Sequence, residues 1–403
     1  MSTIPPPPIT PLSSILPSEP LLLMGAGPVP IPQAVAQANG VIINHLGPTM
    51  DRVIASLKRM ARYAFQTRSE TIMGLAGPAS AAMEMAVSNL CWPGRRVLCL
   101  TSGTFSARLG EMAVGVGADV TSIVSAPGQP VALAQVREAF SRARYDVVTM
   151  AHGETSCGIQ MMELPEICAF AKHQGALTIV DAVVTLTAMP VQMDDWGIDV
   201  GVTGGQKALS SIPGVSLCAF SEDAWAAVEA HPGPRPHWCY DAMRAQQFWG
   251  HQQYHYTAPV PGVLALHEAL RLVAEETLER RFRRHALSSQ AMQAGLEAMG
   301  LELYAAKDVR LNSVIAIAMP RGADSARVRA HMTRAFRVEI SGAFGLDIVR
   351  IGQMGEQCRS HNLFKTLHAL GMSFQRDGVT LDVASGMAAL EQALGGDQEY
   401  FVD

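Results

Sequence analysis

Two charged residues in otherwise apolar runs, Lys207 and Asp181, give the sequence its strongest chemical signal. Asp181 closes the run TIVD, and Lys207 follows two glycines in TGGQKAL. Taken singly, the aspartate could cap a turn and the lysine could be a solvated loop residue. Together they supply an amine that can form a Schiff base and a carboxylate that can keep a proton on a pyridine nitrogen. The pair therefore predicts a pyridoxal phosphate site.

Two further segments could complete such a site. The run HGETSCG (152–158) follows a predicted strand, so a hydroxyl there could reach the phenolic oxygen of the cofactor ring. The run GPASAAME (77–84) opens a predicted helix with small residues, and the free N–H groups of a helix start bind phosphate. Pro78 removes one of these donors. Each segment alone is more typical of ordinary structure than of function.

Arg350 lies in the apolar run DIVRIG, where an unpaired guanidinium would cost several kcal/mol. It therefore needs an anion. A substrate carboxylate bound in a bidentate manner is one partner, and an internal salt bridge is the alternative that remains open.

Short β-branched runs alternate with amphipathic helices after the N-terminal tail. The predicted strands cover 96–101, 119–124, 146–151, 177–182, 199–204 and 215–220. This rhythm predicts an α/β fold with a mainly parallel sheet buried on both faces. Because ligands bind outside the carboxyl ends of such strands, we expect the site to form from the residues that follow them.

The pattern changes near residue 258, where long helices are predicted over 260–276 and 278–299 and smaller strands and helices follow. We therefore predict three parts. A proline-rich disordered tail covers 1–20, a large domain covers 21–285, and a small α+β domain covers 286–403.

Composition excludes several classes of partner. The 403 residues carry a net charge of −5 and no basic run, so we expect neither nucleic acid nor an anionic membrane as a partner. The tail lacks the pattern of a signal peptide, and no apolar run approaches the length that spans a bilayer. Seven scattered cysteines without a C-x-x-C pair indicate reduced thiols and a cytoplasmic protein.

Seven motifs in order resemble the class V aminotransferases of fold type I. They are GAGP (25–28), NHLGP (44–48), HGETSCG (152–158), VDAV (180–183), TGGQK (203–207), YHYTAP (254–259) and RIGQMG (350–355). Within that class they are closest to the alanine, serine and ureidoglycine–glyoxylate aminotransferases. The resemblance implies a large domain with a mainly parallel seven-stranded sheet between helices, followed by a small C-terminal α+β domain.

The resemblance also implies roles at the cofactor. Lys207 would be the Schiff-base lysine and the base that moves the substrate proton, and Asp181 would pair with the pyridinium nitrogen. Thr155 would bind the phenolic oxygen, and Val183 and Phe105 would lie on the two ring faces. The expected phosphate ligands are Ala79, Ser80 and Gln206, with Tyr254 and Thr257 reaching over from the partner subunit of a homodimer with shared sites.

At the substrate, the resemblance implies that Arg350 binds the carboxylate, with Gly27 and His45 nearby. His45 and Tyr254 replace the Gln and Asn of the ureidoglycine subgroup, which argues against ureidoglycine as the amino donor. Position 343 is Ala, so a second arginine that some relatives carry is absent. We expect transfer from a small L-amino acid, of the alanine or serine type, to a small 2-oxo acid such as glyoxylate or pyruvate.

Other functions remain alternatives. A cysteine desulfurase or another lyase of the same superfamily is one, and a ureidoglycine–glyoxylate aminotransferase is another. The desulfurases have a mobile nucleophilic cysteine, for which Cys358 is the nearest candidate. The MGAGP segment suggests a dinucleotide-dependent oxidoreductase but lacks the third glycine of that fingerprint. His251 and His255 have no evident third metal ligand, so no metal site is predicted. A non-catalytic protein on this fold is also conceivable.

Overall fold

Residues 4–395 are described by the computed structural model. The strands are β1 (Leu22–Leu23), β2 (Ile72–Gly77), β3 (Arg96–Thr101), β4 (Asp119–Val124), β5 (Val147–Ala151), β6 (Gly153–Glu154), β7 (Ile159–Gln160), β8 (Leu177–Asp181), β9 (Val200–Gly204), β10 (Gly214–Phe220), β11 (Val314–Ala318), β12 (Val338–Glu339) and β13 (Ile348–Gly352). The α-helices are α1 (Gln33–Asn39), α2 (Pro48–Phe65), α3 (Ala79–Leu90), α4 (Thr104–Gly115), α5 (Leu133–Arg142), α6 (Leu164–His173), α7 (Met193–Trp196), α8 (Glu222–Glu229), α9 (Ala242–Trp249), α10 (Val260–Glu276), α11 (Leu278–Met299), α12 (Ser325–His331), α13 (Ser360–Arg376) and α14 (Val383–Leu394).

A seven-stranded sheet has the order β2-β10-β9-β8-β5-β3-β4. Strands β4, β3, β5, β8 and β9 run parallel, whereas β10 is antiparallel to both of its neighbours. Every residue of β5 and β9 is buried, as expected for parallel strands with helices on both faces. The predicted α/β fold with a mainly parallel seven-stranded sheet is therefore confirmed.

Strand β2 is missing from the runs that we predict as strands. Its sequence, IMGLAG, contains two glycines, which are unfavourable inside strands. At Gly74 the lack of a side chain makes room for Trp249, since a Cβ atom there would lie 2.2 Å from Cζ2 of that ring. Close packing and antiparallel pairing with β10 override the weak local preference.

Two large hydrophobic clusters divide the described chain. One draws its buried residues from Met50 to Leu278, and the other from Ala291 to Leu394 together with Met24. Strand β1 pairs in parallel with β12, so the start of the predicted large domain packs with the C-terminal part. The domain boundaries at 21, 285 and 286 stay predictions.

The N-terminal residues 4–20 are all exposed and contain a single 3-10 turn at Leu12–Ser14. Disorder of this tail also stays a prediction, and its first three residues lie outside the described range, as do 396–403 of the predicted small domain. Over residues 4–395, no helix combines the length and the apolar character needed to cross a bilayer.

Candidate active site

The carboxyl ends of three neighbouring parallel strands form the site. Strand β8 ends at Asp181, the loop after β9 carries Lys207, and the segment after β5 carries Thr155. These ends meet at one edge of the sheet because the strands are parallel and adjacent. A cavity of about 200 Å³ opens there. Its lining includes eight of the residues that the sequence predicts at the cofactor: Ala79, Ser80, Phe105, Thr155, Asp181, Val183, Gln206 and Lys207.

Lys207 projects into this cavity with its amine against the GAGP segment. Nζ donates a hydrogen bond to the carbonyl oxygen of Ala26. Gly27 leaves room for the amine, because a Cβ atom at that position would lie 2.5 Å from Nζ. Burial and the positive charge of Arg350 lower the pKa of Lys207 to about 8, although the carboxylate of Asp181 acts in the opposite direction. The amine is therefore still mostly protonated at neutral pH, but it loses its proton at a lower pH than an ordinary lysine.

Asp181 is a buried carboxyl group with few partners. Its Oδ1 accepts a hydrogen bond of 2.8 Å from the Val183 N–H, and Oδ2 has no hydrogen-bond donor among the residues described. Burial raises the pKa of Asp181 to about 7, and the charge of Glu154 adds to that rise. The Val183 N–H, Lys207 and Arg108 partly oppose it. A cationic N–H group placed in the cavity would favour the ionised form.

The N-terminus of α3 also lines the cavity. Ala79 and Ser80 are its first residues, and no side chain caps them. The buried Oε1 of Gln206 has no hydrogen-bond partner in the described chain. A Cβ atom at Gly204 would lie 2.8 Å from Cβ of Ala79, so this glycine permits close approach of the two segments. Uncapped N–H groups and a helix dipole make this end suitable for a phosphate.

Phe105 is held in the cavity wall by Glu154, a residue that sequence analysis missed. The buried Glu154 carboxylate accepts hydrogen bonds from the Phe105 N–H (3.2 Å), the Ser106 N–H (2.9 Å) and the Ser106 hydroxyl (2.8 Å). It thus caps the N-terminus of α4, where a negative charge is favourable. The sequence feature that could have identified Glu154 is its position in HGETSCG, directly before the predicted Thr155.

Arg108 is the second cavity residue that sequence analysis missed. It lies one helical turn after Phe105 on α4, and its guanidinium carbon is 4.8 Å from the centroid of that ring. The i, i+3 spacing on the helix places both side chains on one face, and this spacing was the available signal. Arg108 adds a positive charge to the cavity.

Arg350 lies on β13 and is buried beside Thr155. Its Nη1 donates to the Thr155 carbonyl oxygen at 2.7 Å, while Nε and Nη2 donate to the Gly342 carbonyl oxygen at 2.8 and 2.5 Å. Each terminal nitrogen keeps a second N–H group. The alternative of an internal salt bridge is wrong within residues 4–395, because no carboxylate there pairs with this guanidinium. Burial lowers the pKa of Arg350, which an anionic partner would counteract.

Three predicted residues lie away from the cavity of their own chain. Tyr254 and Thr257 are exposed, and His45 is half-buried. The rings of His45 and Tyr254 lie edge to face with centroids 6.0 Å apart. A contribution of Tyr254 and Thr257 to a partner's site therefore stays a prediction, as does a substrate role for His45.

The structure also bears on two alternative sites. Cys358 is fully buried in a 3-10 helix (Gly355–Cys358), and burial raises the pKa of its thiol to about 11, so it is wrong as a mobile nucleophile. His255 is buried with Nε2 3.1 Å from the Trp238 carbonyl oxygen, whereas His251 is exposed. No group of three or more His, Cys, Asp or Glu residues within 4–395 is placed to hold a metal ion.

Comparison with known proteins gives consistent matches over most of the chain. The family model described as Aminotransferase class-V matches residues 34–366. An alanine–glyoxylate aminotransferase of Oryctolagus cuniculus is 31% identical over 364 residues, which cover 88% of this chain and 92% of that protein.

Solved structures agree with the sequence matches. The ureidoglycine–glyoxylate aminotransferase of Bacillus subtilis superposes with a TM-score of 0.91 at 28% identity, covering 94% of this chain and 99% of that one. The alanine–glyoxylate aminotransferase of Nostoc sp. gives a TM-score of 0.87 at 31% identity, covering 89% and 96%.

Proposed function

The chain belongs to the class-V aminotransferase family, as its motifs predict, and we propose that it uses pyridoxal phosphate to move an amino group between small substrates. The donor is a small L-amino acid of the alanine or serine type, and the acceptor is a small 2-oxo acid such as glyoxylate or pyruvate. The observation that carries this proposal is that Lys207 and Asp181 share one cavity of about 200 Å³.

The cavity offers partners for two parts of the proposed cofactor. An incompletely hydrogen-bonded carboxylate, Asp181, suits a protonated ring nitrogen, and the uncapped start of α3 suits a phosphate. The orphaned amide oxygen of Gln206 marks polar space at that end which the protein itself does not fill. Phe105 and Val183 would face the two sides of the ring, and Thr155 would bind its phenolic oxygen.

When bound, pyridoxal phosphate supplies a ring that accepts the electrons left at the substrate Cα atom after proton removal. Lys207 would hold the cofactor covalently. Once displaced by substrate, its amine would take the proton from Cα and deliver it to the C4′ position of the cofactor. A pKa of about 8 suits both duties, because a base and an acid are needed in turn near neutral pH. Asp181 would keep the ring nitrogen protonated.

Substrate selection is proposed to rest on Arg350. Three of its N–H groups are used by the carbonyl oxygens of Thr155 and Gly342, which fix the plane of the guanidinium. One N–H group remains on each terminal nitrogen, and this pair can bind a carboxylate in a bidentate manner. Amino and oxo acids both carry that carboxylate, so the same residue serves both half-reactions.

A homodimer with shared sites is part of the proposal. Ile42, Tyr254 and Trp238 are large apolar side chains with 82%, 62% and 50% of their surface exposed. The ring of His45, three residues after Ile42, contacts that of Tyr254. The ring of Trp238 lies 4.7 Å from that of His255, which follows Tyr254 in the chain. Clustered exposed apolar side chains are typical of an interface. Tyr254 and Thr257 would then contact the phosphate of the partner's cofactor.

The dimer is tested by mixing two inactive variants, Lys207→Ala and Tyr254→Ala/Thr257→Ala. Each hybrid dimer would contain one intact site, so random reassortment should restore roughly a quarter of the wild-type activity. Light scattering gives the assembly state independently. Recovery of no activity from a mixture that has demonstrably formed hybrids would contradict shared sites.

For the location we propose the cytoplasm, and the support is the state of the cysteines. All seven are free, and six of them are buried. Unpaired thiols are typical of a reducing compartment. Cell fractionation with an antibody against the protein tests this proposal.

The function is tested with purified protein and a panel of donors, each with glyoxylate and with pyruvate. L-alanine or L-serine should be the best donor, and Lys207→Ala should lose turnover while keeping its fold. Borohydride should trap the cofactor on Lys207, as found by peptide mass. A colourless protein that traps no cofactor on reconstitution would refute the proposal.

Alternative activities belong in the same panel. L-cysteine should release no sulfide, since Cys358 is buried and its thiol is protonated. (S)-Ureidoglycine is included because the relative from Bacillus subtilis, 28% identical, bears that name. If the protein preferred ureidoglycine to alanine, the proposed amino donor would be wrong, but the protein would still be an aminotransferase.

A further inference from the structure

A short loop is attached directly to Arg350. Residues 342–347 connect Ser341 to β13, and the backbones of Ser341 and Arg350 exchange hydrogen bonds of 3.1 and 2.8 Å. The carbonyl oxygen of Gly342, the first residue of the loop, accepts two hydrogen bonds from the guanidinium. The position of this loop is thereby coupled to the position of the Arg350 side chain.

Phe344 extends from this loop toward the active site. Its ring centroid lies 5.6 Å from the guanidinium carbon of Arg350 and 6.2 Å from the ring centroid of Phe105, which it meets edge to face. The remaining surface of Phe344 faces solvent, with 57% of the residue exposed. One aromatic side chain therefore touches both the residue assigned to the substrate carboxylate and the residue assigned to a cofactor face.

We propose that Phe344 is a specificity residue that covers the carboxylate-binding end of the site and rejects substrates with a second carboxylate. This inference rests on the proposed function, because it takes Arg350 as the group that binds the first carboxylate. The apolar ring limits the access of water to Arg350, and an ion pair is stronger where water is excluded.

Rejection of dicarboxylates follows from the same arrangement. Beside Arg350 a second carboxylate would meet the Phe344 ring and Ala343, neither of which donates a hydrogen bond from its side chain. Arg350 has already engaged three N–H groups with backbone oxygens and has one bidentate face left. Next to Phe344 a second carboxylate would lose water without gaining a partner there, because the guanidinium of Arg108 packs on the ring of Phe105, and such a loss is costly. Aspartate, glutamate and their oxo acids should therefore be poor substrates, whereas alanine and glyoxylate should not.

The test uses three variants of the cofactor-loaded protein. The measured quantity is kcat/KM for L-alanine divided by kcat/KM for L-aspartate, with glyoxylate as acceptor. Phe344→Ala should lower this ratio about tenfold because water regains access to the second carboxylate, and Phe344→Arg should lower it further by supplying a cation. Leu346→Ala is the matched control, since it removes an exposed apolar side chain from the same loop. It should leave the ratio within about twofold of wild type.

A second measurement does not depend on turnover. Saturation-transfer NMR gives the affinities of propionate and succinate, which carry one and two carboxylates and do not react. Wild-type protein should prefer propionate, and Phe344→Ala should lose this preference.

The outcomes separate the two proposals. Wild-type protein that binds propionate through Arg350 but transfers no amino group contradicts the proposed function and leaves the selectivity of Phe344 measurable. If Phe344→Ala leaves both ratios unchanged, or if Leu346→Ala shifts them equally, the role of Phe344 is overturned.

Discussion

Replacement of Asp181 by asparagine should stabilise the cofactor-free protein, and more so at alkaline pH. Burial raises the pKa of this carboxyl group from 3.8 to about 7. Below the unfolded-state pKa the group is protonated in both states and has no effect on the free energy of unfolding. As the pH rises from 3.8 to about 7, the native state must either keep a proton that the unfolded chain has released or bury a charge. Stability is therefore lost between pH 3.8 and about 7, and the loss is complete above that range.

The size of the effect follows from the pKa shift. Linkage gives a cost of about 2 kcal/mol at pH 5 and about 4 kcal/mol at pH 8. Asparagine carries no charge, and its side-chain oxygen can still accept the hydrogen bond from the Val183 N–H. The variant should therefore recover most of this cost in the cofactor-free state.

Urea unfolding of the cofactor-free protein at pH 5 and pH 8, at one protein concentration, measures the difference. Asp194→Asn is the matched control. Although burial acts to raise the pKa of Asp194, hydrogen bonds from Thr67 and Arg68 lower it overall, so this variant should be destabilised. An Asp181→Asn protein that is no more stable than wild type at pH 8, or whose gain is the same at both pH values, would refute the reasoning.

Three further predictions test the roles given to Gly27, Lys207 and Cys358. Gly27→Ala would place a Cβ atom 2.5 Å from Lys207 Nζ, on a backbone with φ of +103°. Turnover should fall at least about tenfold while the circular dichroism spectrum stays unchanged, and normal turnover would contradict the contact. The rate at which cofactor-free protein captures pyridoxal phosphate, measured by absorbance, should rise with pH and reach half its maximum near pH 8. A midpoint near the ordinary lysine pKa of 10.5 would show that the amine is not desolvated. Cys358→Ala should keep kcat/KM for transamination within about twofold, because the thiol is buried away from the cavity, and a large loss would reopen a catalytic role for it.

Much of the large sheet could be predicted because its parallel strands are buried on both faces and therefore appear as continuous apolar runs. Strand β3 and helices α10 and α11 have the predicted bounds. The same holds for the largely exposed edge strand β4, whose signal is its β-branched residues. The positions of Lys207 and Asp181 could be predicted for the same reason. Once the strands are located, the residues that follow them must meet at one edge.

Features that depend on pairing between distant segments could not be predicted in this way. Glu154 caps α4 through Ser106, which lies 48 residues earlier in the chain. Met24 joins the C-terminal hydrophobic cluster because Leu22 pairs with Val338. Hydrophobic periodicity reports which face of a segment is buried but contains no information about which segment covers that face.

The charges around the cavity give a reason why its ligand should be anionic. Lys207 and Arg108 line the cavity, and Arg350 lies close enough for its charge to lower the pKa of Lys207, so all three contribute positive charge. The carboxylate of Glu154 is already engaged by the N-terminus of α4 and by the hydroxyl groups of Ser106 and Ser156. Asp181 alone remains to balance three cations, and its pKa of about 7 means that it is only partly ionised at neutral pH. The polypeptide therefore leaves a positive surplus in a buried cavity, which is unfavourable unless an anion enters. A phosphate at the start of α3 and a carboxylate at Arg350 would each neutralise part of this surplus, so the distribution of charge favours a ligand that carries both groups.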